Sequence, residues 1–215
     1  MIKRFLCLTL FLFTATSAVA QSRYAIIETS EGNIKIELNA RQSPKTVAAF
    51  IKYVQAGIYR NSIVHRAVKD FVIQGGELMK ATPGERNEAL RPDFSLPVFL
   101  PEVKNGLKNQ RGTIAMTRAR VGNNELAPTG FFINLKDNQF LNYYRYEKET
   151  MVPTQAGPQL APAGTEISGY AVFGRVVEGM TVADQIAQTA VEVRGLYEHM
   201  PVQEIVIKQI RLSDK

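Results

Sequence analysis

Between positions 64 and 76 the chain reads Val64-His65-Arg66-Ala67-Val68-Lys69-Asp70-Phe71-Val72-Ile73-Gln74-Gly75-Gly76, an arginine and a glutamine set among apolar, strand-forming residues. A buried charge is unfavourable unless it is paired or used. An arginine that a strand aims into an apolar concavity is therefore a candidate working group. Arg66 brings a planar fork of donors and Gln74 an amide, a pair suited to holding peptide carbonyls in a hydrophobic cleft. Other chemistries find little support. There is no G-x-S-x-G, no Walker loop and no H-E-x-x-H. The only histidines are His65 and His199, and a metal site would need carboxylates beside both. His65 reads as a hydrogen-bonded structural residue rather than a base or ligand.

The elements that must position this pair can be read on either side of it. A hairpin is predicted over residues 23–38, with Ser30-Glu31-Gly32-Asn33 as its turn and Ile34-Lys35-Ile36-Glu37-Leu38 alternating behind it. A helix follows, with Ser43 as N-cap, Pro44 at the first helical position, a stripe of Val47, Phe50, Ile51 and Val54, and Gly57 at its end. Residues 62–68 and 71–74 read as strands, and the chain is expected to turn at Gly75-Gly76. Residues 81–112 are polar and proline-rich, an irregular excursion. Thr113-Ile114-Ala115-Met116 and Phe131-Phe132-Ile133-Asn134 are short buried strands. Residues 142–168 carry Tyr143, Tyr144, Tyr146 and three prolines without visible periodicity, which predicts an insert or lid rather than a core element. Residues 169–177 form another strand, Val182, Ile186 and Ala187 mark a short second helix, and residues 205–210 close with an alternating strand. Many short strands with two helices predict a mainly β fold, a closed or nearly closed barrel.

With 215 residues, 45% hydrophobic and 21% charged, the chain has enough material for one substantial core. Its first twenty residues stand apart. Lys3 and Arg4, an apolar run from Phe5 to Phe13 and Ala18-Val19-Ala20 have the order of a secretory signal peptide cut between Ala20 and Gln21. Residues 21–215 then form a single domain. The only cysteine, Cys7, would leave with the signal, so the mature chain would hold no disulfide. Loss of Lys3 and Arg4 lowers the formal charge from +6 to +4. The remaining excess is scattered, which gives no support for nucleic-acid binding.

Several segments resemble cyclophilins. His65-Arg66 followed by Phe71-Val72-Ile73-Gln74-Gly75-Gly76 is similar to the family's F-x-x-Q-G-G signature. Arg111-Gly112-Thr113-Ile114-Ala115-Met116 resembles its R-G-T-I-A-M strand, Phe131-Phe132-Ile133-Asn134 its F-F-I segment, and Tyr170-Ala171-Val172-Phe173-Gly174-Arg175-Val176 its V-F-G-K-V segment. The matches run in family order over nearly the whole mature chain. The resemblance implies a closed eight-stranded antiparallel β-barrel capped by two α-helices, and peptidyl-prolyl cis-trans isomerase activity without a cofactor or metal. It implies that Arg66 is the catalytic arginine and that Phe71, Met116, Phe132 and Leu141 line the proline pocket. Val72 takes the place of a frequent methionine, and Gln74 matches the amide that contacts substrate backbone and helps hold the arginine.

The chain also departs from the family. Gly130 stands where a substrate-binding glutamine is usual, so a hydrogen bond worth about 0.5–1.5 kcal/mol is expected to be missing, and Gly130→Gln is expected to raise activity. Thr117-Arg118 replaces a frequent Ala-Asn beside the bound peptide. Phe140 stands where many members carry the tryptophan associated with cyclosporin binding. Tyr170 is the residue usual in bacterial members at its position, and the insert at 142–168 leaves directly after Phe140-Leu141. The resulting expectation is an isomerase acting on proline-containing unfolded or flexible polypeptides in the periplasm, with secretion as second choice, monomeric, free of the membrane after signal cleavage and without nucleic acid. A cyclophilin-like peptide-binding module or chaperone with weak or no isomerase activity is the alternative. A β-barrel carrier of small ligands is a more distant one.

Overall fold

The computed structural model describes residues 23–80, 100–121, 124–126, 129–154 and 157–215. The expected signal peptide with Cys7 and residues 81–99 of the excursion lie outside the described residues. Eight strands close a barrel: β1 (Tyr24–Thr29), β2 (Asn33–Leu38), β3 (Ser62–Val68), β4 (Val72–Met79), β5 (Thr113–Met116), β6 (Phe131–Asn134), β7 (Val172–Glu178) and β8 (Ile205–Ser213). They close in the order β1-β8-β3-β4-β6-β5-β7-β2, every pair antiparallel. Two helices accompany it, α1 (Pro44–Gln55) and α2 (Met180–Ile186). The fold expected from the resemblance is the one observed.

Alternation along the strands fills the interior with Ile27, Ile34, Ile36, Ile114, Met116, Ile133, Phe173 and Ile207, all buried. Helix α1 closes one end by driving Phe50 among Tyr59, Phe131 and Phe173, with ring centroids 5.6, 6.4 and 5.1 Å away. Its buried face consists of Thr46, Val47, Ala49, Phe50 and Tyr53, whereas Ile51 and Val54 are only half-buried, so the expected stripe is rotated. Ser43 stands at the N-cap as expected, but its side chain makes no capping hydrogen bond to the helix. The Ser43 hydroxyl donates to the Val172 carbonyl at 2.7 Å. The helix N-terminus is instead held by Glu102, whose carboxylate accepts from the backbone N–H groups of Thr46 (2.8 Å) and Lys45 (3.3 Å), an acid placed where the helix dipole favours one.

Gly75-Gly76 does not turn the chain, because β4 runs through it to Met79. The pair is needed for close approach: a Cβ on Gly75 would lie 2.9 Å from the Ile63 carbonyl oxygen. Gly76 has φ +81° with the Tyr59 ring against it, a conformation that disfavours any side chain. The register between β3 and β4 shifts on both sides of Val64. Two residues of β3 then oppose one step of β4, from Val64↔Gly75 to Arg66↔Gln74. Regular alternation would put Arg66 on the core side with Val64. The bulge at His65 leaves Val64 and Ala67 in the core and sends Arg66 outward.

The insert is built rather than irregular. Tyr144–Arg145 pairs with Glu166–Ile167, and Thr150–Thr154 pairs with Gly157–Ala161, giving two nested ladders. Its two ends meet where the Tyr170 N–H donates to the Leu141 carbonyl at 2.9 Å. A further hairpin, Val191–Arg194 with Tyr197–Pro201, has no counterpart in the sequence reading. It lies against β3, where Met200 packs on Ile63 and Leu78, and Tyr197 meets the His65 ring edge-on at 5.7 Å.

Candidate functional site

On the outer face of the barrel the register aligns one row across five strands. Arg66 of β3 pairs with Gln74 of β4, Gln74 with Phe132 of β6, Phe132 with Ala115 of β5, and Ala115 with Val172 of β7. The row runs from a guanidinium through an amide to a wholly apolar end. Val72, Ala115, Phe132 and Val172 form a buried cluster on this face, with Phe71, Leu107, Leu141 and Tyr170 packed against it. A cleft of about 160 Å³ opens there.

Nine of the residues picked from the sequence line that cleft: Arg66, Phe71, Val72, Gln74, Thr117, Arg118, Phe132, Leu141 and Tyr170. Two do not. Met116 is fully buried inside the barrel, because the pairing of Ala115 with Phe132 gives the outward position on β5 to the alanine. Phe140 is 70% exposed and stacks on Phe71 at 5.7 Å, and it belongs to a neighbouring groove shared with Tyr143, Tyr144 and Tyr146 of the insert.

The Arg66 guanidinium carbon lies 5.2 Å from the Phe71 ring centre, and among the described residues no hydrogen-bond acceptor holds the group. Its donors are left facing the cleft. Across from it Tyr170 stands edge-on to Phe132 at 5.3 Å, and Arg118 lies over the Tyr170 ring at 4.4 Å, a contact that favours a cation over an aromatic face.

A buried amide network supports the floor from behind. Asn138 donates to the Phe71 carbonyl (3.1 Å) and to Asn134 (2.8 Å), Asn134 donates to Thr113 Oγ1 (2.9 Å), and Asn109 donates to the Leu141 carbonyl (3.0 Å). The backbones of Phe71 and Leu141 are thereby fixed by side chains that lie outside the family motifs quoted above, apart from Asn134.

No sequence motif points to Glu77. It lines the cleft, where the Thr117 hydroxyl donates to Oε1 and the Gln74 amide donates to Oε2 at 3.3 Å. Burial raises its carboxyl above the ordinary range, partly offset by the bonds from Thr117 and Gln74. His65 Nε2 lies 3.4 Å from the same Oε2. That distance would suit an ion pair, yet burial, aided by the charge of Arg66, pushes His65 down to about 4. The contact at neutral pH is thus between a neutral imidazole and a carboxyl group. No single position announces Glu77, because its place in the cleft depends on the empty space at Gly130, far away in the sequence.

Chemically, the arrangement provides a donor fork beside an apolar floor.

Residues 24–212 match the family described as cyclophilin type peptidyl-prolyl cis-trans isomerase/CLD. Peptidyl-prolyl cis-trans isomerase A of Dickeya dadantii is 34% identical over 208 residues, covering 97% of this chain and 94% of that protein. Peptidyl-prolyl cis-trans isomerase B of Escherichia coli is 34% identical over 186 residues, covering 86% and 96%. A crystal structure of a cyclophilin type peptidyl-prolyl cis-trans isomerase from Cryptosporidium parvum superimposes with a TM-score of 0.63 at 23% identity, over 90% of this chain and 99% of that one.

Proposed function

The chain belongs to the cyclophilin-type peptidyl-prolyl cis-trans isomerases, and from that premise we propose that it isomerises X-Pro bonds of unfolded or flexible exported polypeptides, with Arg66 as the catalytic group. Rotation about a peptide bond meets a barrier of about 18–20 kcal/mol from amide resonance. X-Pro bonds populate both isomers and exchange over tens of seconds or longer, slowly enough to limit folding. In the twisted state the prolyl nitrogen recovers its lone pair, and a donor there stabilises that state more than the planar one. Phe71, Val72, Phe132 and Leu141 receive the proline ring, and the apolar floor favours the less polar twisted amide. Gln74 binds substrate backbone next to the arginine.

The single observation that carries this reading is the Arg66 guanidinium over Phe71, without a hydrogen-bond acceptor among the described residues and beside the apolar cluster. The export context is supported by the order of charge, apolar run and small residues in the first twenty positions. We place the mature chain, residues 21–215, in the periplasm as a monomeric single domain, free of membrane and nucleic acid.

Two experiments test these parts. A protein whose slow refolding phase is an X-Pro isomerisation should refold faster with catalytic amounts of this chain. No acceleration would favour the binding-module alternative. Fractionation and mass spectrometry of the expressed full chain should find it outside the cytoplasm and starting at Gln21; an unprocessed cytoplasmic chain would refute export.

A further inference from the structure

Position 130 immediately precedes β6, and the family likeness would place an amide there. In the fold the space is filled from the neighbouring strand. A Cβ built on Gly130 would overlap Cγ, Cδ and Oε1 of Glu77. The glycine is therefore what gives Glu77 its place in the cleft. The Glu77 side chain remains 26% exposed, so solvent, and a bound peptide, can reach it. A carboxylate has about four acceptor positions. Thr117 takes one on Oε1, and Gln74 and His65 face Oε2, which leaves acceptor capacity toward the cleft.

We propose that Glu77 is a substrate-recognition residue, whose carboxyl oxygens stand in for the amide absent at position 130 and select polypeptides with a cationic side chain beside the prolyl bond. The inference rests on the reading of this cleft as the isomerase site. An amide both donates and accepts, whereas a carboxylate only accepts and forms its strongest bonds to cationic donors. An acidic residue in the peptide would meet like charge. Arg66 and Arg118 also line the cleft and act in the opposite sense, but a change at Glu77 alone leaves their contribution constant.

The test compares Ala-Lys-Pro-Phe with Ala-Glu-Pro-Phe by exchange NMR at pH 8, with peptide Kd measured on the same samples. In Glu77→Gln, an isosteric change, the Lys-over-Glu ratio of kcat/KM should fall about tenfold, the size of one charge-assisted bond. The family likeness alone would have Gly130→Gln raise activity, but the space is taken by Glu77, so the single variant should lower it through collision with that side chain. Gly130→Gln combined with Glu77→Ala should recover most of the wild-type rate on a neutral Ala-Pro peptide. A merely structural role for Glu77 would leave the ratio unchanged. An unchanged ratio in Glu77→Gln, in both kcat/KM and Kd, overturns the proposal, and so does a Gly130→Gln single variant that is faster than wild type. If wild type accelerates no peptide, the isomerase reading fails, while the Kd ratio still decides on Glu77.

Discussion

The stability of the fold should depend on pH through one buried histidine. His65 is 3% exposed, its ring lies against Tyr197, and its Nδ1 has no hydrogen-bond partner among the described residues. Burial first, and then the Arg66 charge, push its pKa from 6.5 down to about 4. The unfolded chain takes up a proton as the pH falls through 6.5, whereas the native chain resists it until about 4. Stability is therefore complete above 6.5 and is lost as the pH falls toward 4. A shift of about 2.5 units corresponds to roughly 3 kcal/mol in full, about 2 kcal/mol of it by pH 5. Glu77 acts with the opposite sign. Its raised pKa lets the native chain gain a proton before the unfolded one, which returns some stability on acidification. Glu28 and Glu37 are held below the ordinary carboxylate range, Glu28 by Gln209 and Arg211 and Glu37 by Arg23 and Arg175. Their stabilising effect disappears only at more acid pH. Urea unfolding at pH 7.5 and 5 should show wild type losing about 2 kcal/mol more than His65→Phe between the two, with the comparison repeated in a Glu77→Gln background. Equal losses within about 0.5 kcal/mol would refute the assignment of that window to His65.

Two further outcomes concern the frame of the site. Glu102→Ala removes the acceptor for the first N–H groups of α1 and should lower stability by about 1 kcal/mol, seen as a fall in Tm of about 2–4 °C; an unchanged Tm would mean that water caps the helix equally well. Gly76→Ala places a methyl group 2.9 Å from the Tyr59 ring at φ +81° and should lower stability by about 2–3 kcal/mol, measured by denaturant midpoint, with a neutral result contradicting the close approach of β4 to Tyr59.

What could be read from the sequence follows the reach of local pattern. Arg66, Phe71, Gln74 and Phe132 were legible because they sit in motifs of fixed spacing, and the register then sets all four on one face of the barrel. Met116 was misplaced because facing in a strand is decided by pairing, and only the partner across β5 shows that Ala115 takes the outer position. The bulge that turns Arg66 outward was illegible for the same reason. The insert shows no periodicity because its ladders bury little, with Met151 and Leu160 both exposed and only Ala161 buried among the described residues of the longer one, and an element with so small a buried face needs no alternation. Glu77 depends on space left by Gly130. A single sequence carries no mark of such a pair until the fold brings the two together.

If Arg66 supplies the donor for the twisting prolyl amide, its removal must show in the exchange of a short Ala-Pro peptide followed by NMR. Wild type should accelerate cis-trans exchange. Arg66→Ala should lower the rate about 10- to 100-fold, as expected for a charged bond worth about 1.5–3 kcal/mol made in the transition state, while peptide affinity changes by less than about threefold. An Arg66→Ala variant that exchanges the peptide as fast as wild type would show that the guanidinium is not the catalytic donor.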